Sequence, residues 1–185
     1  MLRHSMIALA VLALGACSKS PTVSATNASG EEVAAKVKAS GMDTQFVSPG
    51  HWQMTMTIRE MAIPGLPPQM AEKMKAHMGQ GKTFDSCLTP EQAKKPKEDF
   101  FAKGNGNCRY DRFSMGDGKI DAVMQCKGEG GQRTMTLNGT YSPEAYHMAV
   151  ASTGSGASDS PMAAMSMKME VDAKRTGECT GKEEG

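Results

Sequence analysis

Leucine and isoleucine are scarce in this chain. Past residue 16 there are six of them: Leu66, Leu88, Leu137, Ile58, Ile63 and Ile120. That excludes a core of ordinary aliphatic packing. Methionine, at 17 residues, must fill much of the volume, and its flexible thioether suits irregular gaps. Net charge is equally lacking, since 21 basic residues meet 20 acidic ones. Without a basic face the chain is not expected to bind nucleic acid, and it has no polybasic patch for anionic lipid. After the first residues no run is long and apolar enough for a membrane-spanning helix. Signatures of chemistry are missing too. There is no Gly-x-Ser-x-Gly elbow, no paired-carboxylate motif, and no His-x-x-x-His among His51, His77 and His147. Gly79-Gln80-Gly81-Lys82-Thr83 falls short of a phosphate loop, because Ala76 stands where the pattern needs glycine. No set of acid, base and nucleophile emerges, so the chain reads as a non-enzyme.

What is present begins at the N-terminus. Met1-Leu2-Arg3-His4 gives a positive start, residues 6–14 a short apolar run, and Leu14-Gly15-Ala16-Cys17 a close of small residues. These are the marks of a secretory signal over residues 1–16. The Leu-x-small-Cys ending resembles the bacterial lipobox. The resemblance implies that Cys17 gains lipid and becomes the first mature residue, which makes the membrane a partner through that lipid. Ser18 follows, in place of the Asp that commonly retains such proteins in the inner membrane. The implied location is the outer membrane, facing the periplasm.

Four cysteines remain: Cys87, Cys108, Cys126 and Cys179. An even number in an oxidising compartment reads as two disulfides. A zinc site would favour close Cys-x-x-Cys pairs. Gly116-Asp117-Gly118 marks a hairpin turn between strand-like stretches at 107–115 and 119–127. Symmetry about Asp117 sets Cys108 opposite Cys126, within disulfide reach. Cys87 is then left with Cys179.

Residues 18–30 are rich in Ser, Thr, Ala and Asn and lack a hydrophobic pattern, so they read as a flexible tether. Val33 and Val37 allow a short helix over 31–40, ended by Gly41. Residues 17–47 are therefore assigned to lipid attachment, tether and that helix. A single β-rich domain is expected over 48–180, with a tail at 181–185. Residues 51–58 alternate, with Trp52, Met54, Met56 and Ile58 on one side. Residues 69–77 suit a helix and 82–88 a strand. Thr89-Pro90-Glu91-Gln92 carries a capping box. Strands follow at 132–141, 145–151 and 162–174, with a flexible loop at 153–160.

The methionines admit two readings. Met165, Met167 and Met169 alternate with Ser166, Lys168 and Glu170, the pattern of a strand with a methionine inner face. Alternatively, thioethers bind Cu(I) or Ag(I), and Met70, Met74, His77 and Met78 gather four such ligands in one segment. Methionine also repacks around varied apolar partners.

Pro49-Gly50-x-Trp52, Cys87-Leu88-Thr89-Pro90-Glu91-Gln92-Ala93, Cys108, Cys126, and Gly139-Thr140-Tyr141 ahead of Tyr146 form an ordered set. The set resembles the small exported bacterial proteins classed as domain of unknown function 3617. The resemblance implies an exported, cysteine-bearing, methionine-rich domain, and it brings no activity and no functional residues. The expected fold is mainly β with minor α: a curved antiparallel meander sheet or half-barrel, with one or two short helices and two disulfides. The expected function is non-catalytic binding of an apolar ligand or a cell-envelope partner, with Cu(I) as the alternative ligand.

Overall fold

The computed structural model describes residues 21–42, 46–78, 81–94, 107–128, 131–155 and 161–181. The signal segment, Cys17, residues 156–160 of the expected loop and the tail from 182 lie outside them, while Thr153 to Ser155 of that expected loop belong instead to a strand. One antiparallel sheet dominates. Its strands are β1 (Thr22–Ser29), β2 (Gly50–Ala62), β3 (Lys82–Leu88), β4 (Cys108–Gly116), β5 (Lys119–Gly128), β6 (Gly131–Ser142), β7 (Ala145–Ser155) and β8 (Ser166–Gly177). The spatial order is β1-β4-β5-β6-β7-β8-β2-β3, and the sheet is not closed. Five consecutive strands, β4 to β8, make the expected meander. The β2–β3 hairpin extends it on one side and β1 on the other.

Three helices accompany the sheet: α1 (Gly30–Ala39), α2 (Pro68–Met78) and α3 (Pro90–Lys94). Two lie where the sequence placed them inside the domain. The Thr89 capping box is present at α3, where the Gln92 amide donates to Thr89 Oγ1 at 3.2 Å and the Thr89 amide to Gln92 Oε1 at 2.9 Å. The α1 helix has the same device in Ser29 and Glu32. A 3-10 turn at Pro161–Ala164 precedes β8. The last strand therefore begins later, and runs further, than the alternation at 162–174 suggests.

The tether expected over 18–30 is overturned from residue 22 onward. Thr22–Ser29 is a strand paired along β4. Val23, Ala25 and Ala28 are buried against it, and Val33 and Val37 of α1 are 0% and 1% exposed. The folded unit thus begins well before residue 48. The physical reason is that small side chains on an edge strand need only a backbone ladder and a close neighbour, not a bulky apolar pattern.

Both disulfides form as expected, Cys87–Cys179 and Cys108–Cys126, with Cα separations of 5.4 and 4.0 Å. The geometric reason differs in one respect from symmetry about Asp117. Asp117 and Gly118 both have positive φ, 49° and 69°, so the turn is the two-residue type that suits hairpin twist. Its centre lies between them, and Gly116 pairs with Lys119. That register would put Cys108 opposite Lys127. A bulge at Asp111 inserts one residue into β4 and brings Cys108 opposite Cys126. The bulge also explains why Tyr110, Phe113 and Met115 are all buried despite uneven spacing.

Candidate functional site

Cross-strand partners share a face, so the register places the methionines. One row of the inner face runs Met115, Ile120, Gly139, Met148, Val171, Met56. The next runs Phe113, Ala122, Leu137, Val150, Met169, Ile58. A third runs Tyr110, Met124, Met135, Ser152, Met167, Met61. The sequence expectation for β8 holds for Met167, Met169 and Val171, which lie on one face with Lys168, Glu170 and Asp172 on the other, whereas Met165 precedes the strand.

Burial is uneven along these rows. On the β1–β4–β5 side, Met115 is 0%, Phe113 2% and Ile120 2% exposed, in one cluster with Val33 and Val37. On the far side Met54, Met56, Met61, Met135, Met167 and Met169 are only partly buried. None of these six belongs to that cluster. Phe84, opposite Met54 on the edge strand, is 47% exposed. Helix α1 is long enough to cover one side of the face and leaves a methionine patch on the other.

The upper end of that face is closed by aromatic contacts. Phe46 meets Tyr141 at 5.0 Å between ring centroids, and Trp52 meets Tyr146 at 5.8 Å. The Trp52 indole donates to the Ser48 carbonyl at 2.9 Å. Burial pushes the Tyr146 hydroxyl up from its ordinary range and that of Tyr110 to about 12, so both stay neutral at physiological pH.

The metal candidates lie together on α2. The helix carries Met70, Met74, His77 and Met78 at spacings of three and four, which give one stripe. Met70 is 53% exposed, His77 is exposed and Met74 is partly buried. The side chain of Met78 lies outside the described residues. Among the described residues no three His, Cys, Asp or Glu side chains form a metal-sized group. Cys87, Cys108, Cys126 and Cys179 are all in disulfides and offer no thiolate.

The outer face is polar and holds a feature the sequence did not reveal. A shallow depression of about 570 Å³ is lined by Gln53, Thr55, Thr140, His147, Asp172 and Lys174. There His147 Nδ1 lies 2.7 Å from Asp172 Oδ1, with both side chains roughly half exposed. His51 Nε2 lies 3.2 Å from Asp85 Oδ1 farther along the same face. Such exposed pairs are screened by water. The Ser142 hydroxyl, on the same rim, is committed to its own turn, donating to the Ala145 carbonyl and accepting from the Ala145 amide, each at 3.1 Å. Only pairing across β7 and β8 brings His147 to Asp172, 25 residues apart.

Residues 47–179 match the family model described as protein of unknown function, DUF3617. The chain belongs to that family. No curated protein and no solved structure matches it. The DUF3617 span opens at the loop before β2, so β1 and α1 lie outside it. In this chain those two elements nevertheless supply Val23, Ala25, Ala28, Val33 and Val37 to the core of the DUF3617 sheet.

Proposed function

We propose that this DUF3617 protein is a non-catalytic binding module of the cell envelope. It is exported, held by lipid on Cys17 at the outer membrane, and faces the periplasm. It takes a small apolar ligand, or an apolar segment of an envelope partner, on the methionine patch of its inner face. One observation carries the reading. Met115 and Met148 are 0% and 3% exposed, while Met56 in the same row, and Met169 and Met167 in the next two, remain partly open. Unbranched thioether side chains can reshape around varied apolar ligands at small cost. The test is displacement of an environment-sensitive dye from the secreted Cys17→Ser form by acyl-chain compounds. Competable binding that disappears in Met167→Ser/Met169→Ser, with the melting midpoint little changed, is the expected result. A protein that binds no dye competably sinks the proposal.

A second reading is binding of Cu(I) or Ag(I) by Met70, Met74, His77 and Met78. The exposure of Met70 favours it, since a 53% exposed methionine adds little to packing. Titration of Cu(I) into the Met74→Leu/Met78→Leu protein decides it. Loss of a stoichiometric adduct from a folded protein supports the site, and unchanged uptake removes these residues from it.

A further inference from the structure

We propose that the hairpin end of the sheet faces the membrane and that the end carrying Cys108–Cys126 points away from it. The inference rests on the lipid attachment at Cys17 proposed above. Its second support is the position of β1. Only five residue steps separate Cys17 from Thr22, a span of at most about 18 Å even when fully extended. Thr22 pairs with Gly116, beside the Asp117–Gly118 turn. Strand directions put the β6–β7 turn, through Ser142 and Ala145, at the same end of the sheet. The opposite end holds Ser29, Cys108, Cys126 and the start of β6. Strand β5 alone, with 10 residues, spans about 33 Å. A leash of that length therefore keeps the hairpin end near the headgroups and leaves the other end beyond its reach, unless the sheet lies flat. The outer face pairs Arg59 with Glu170 and Lys168 with Glu60, which leaves those charges balanced against anionic lipid. In this orientation Met61, Met135 and Met167, in the row farthest from the Asp117–Gly118 turn, open toward the aqueous side.

Two exposed lysines on β5, Lys119 and Lys127, test the orientation. They lie about 26 Å apart along one strand. Each is replaced in turn by a genetically encoded fluorescent amino acid in the full, lipidated chain. The protein is reconstituted into phosphatidylcholine vesicles containing a headgroup-nitroxide lipid. Quenching at position 119 with little or none at 127 is expected, and an insert of about ten Gly/Ser residues between Ser20 and Pro21 should erase that contrast. Equal quenching at both positions, or stronger quenching at 127, means that the sheet lies flat or inverted and overturns the orientation. Intact mass separates the two layers of the argument. A chain without acyl mass on Cys17 overturns the lipid reading and the orientation together, whereas an acylated chain with the wrong quenching overturns the orientation alone.

Discussion

Met115 shows what a methionine does when it is pure core. It has no exposed surface and lies beside Phe113 and Ile120 in the cluster that α1 covers. Met115→Ala should cost about 2–5 kcal/mol, as for other large-to-small changes at fully buried sites. Urea unfolding followed by the single tryptophan, Trp52, measures it. The same change at Met167, which is partly exposed, should cost distinctly less. Gly139 contributes by what it lacks, because a Cβ there would sit 2.4 Å from both the His147 carbonyl oxygen and the Met148 sulfur. Tyr110 adds a pH dependence. Burial raises its hydroxyl to about 12 in the folded state, against an unfolded value of about 10. Its contribution is therefore complete below about pH 10 and is lost as pH rises toward about 12. Tyr110→Phe should flatten the fall in unfolding free energy over that range. An unchanged slope would show that other groups carry it.

At the scale of elements, the Asp111 bulge is the sharpest device in the fold. Deleting Asp111 should remove the bulge and leave both flanking registers in place, with Tyr110 opposite Met124 and Cys108 opposite Cys126. Mass spectrometry of the unreduced protein should then still find the Cys108–Cys126 bridge. Free thiols or altered pairing in the deletion variant would mean that the bend of the bulge, and not its residue count, aligns the two cysteines. The elements also show where the sequence speaks and where it is silent. The helix caps at Thr89 and the alternation around Met54 and Met167 are local signals, and they were legible. The disulfide pairing was legible as well, although simple symmetry does not contain the bulge that aligns it. The β1 strand was not legible. Its Val23, Ala25 and Ala28 form too faint a stripe, and Asn27 interrupts it with a φ of 48°. Its identity as a strand comes from β4, far along the chain. The candidate patch was legible as a methionine face. Which half of that face stays open depends on where α1 comes to rest, and no local pattern encodes that. The His147–Asp172 pair was hidden for the same reason, being a product of register.

Across the whole molecule, the Cys87–Cys179 bridge links edge strand β3 to the residues just past β8. It closes a sequence separation of 92 residues, for which chain entropy gives a stabilisation of about 4–5 kcal/mol. Cys87→Ser/Cys179→Ser should lower the denaturant midpoint accordingly. Protection from hydrogen exchange should fall most in β3, whose ladder bonds run to β2 alone among the described strands. A midpoint that does not move would mean that the β2–β3 hairpin holds the edge without covalent help.

The pairing of β1 with β4 also sets an order of events. The contact between Asn27 and Arg109 spans 82 residues, whereas β4 to β8 are joined in sequence as successive hairpins. Loop closure over such a span is slow compared with hairpin formation. For a chain delivered through a membrane from its N-terminus, the first strand to emerge is therefore among the last to find its partner. Until β4 arrives, the tract from Thr22 to Ser29 lacks the strand it pairs with in the finished sheet. Under the lipid attachment proposed at Cys17, its docking would draw the finished sheet toward the bilayer, so that completing the fold and setting its distance from the membrane would be a single step.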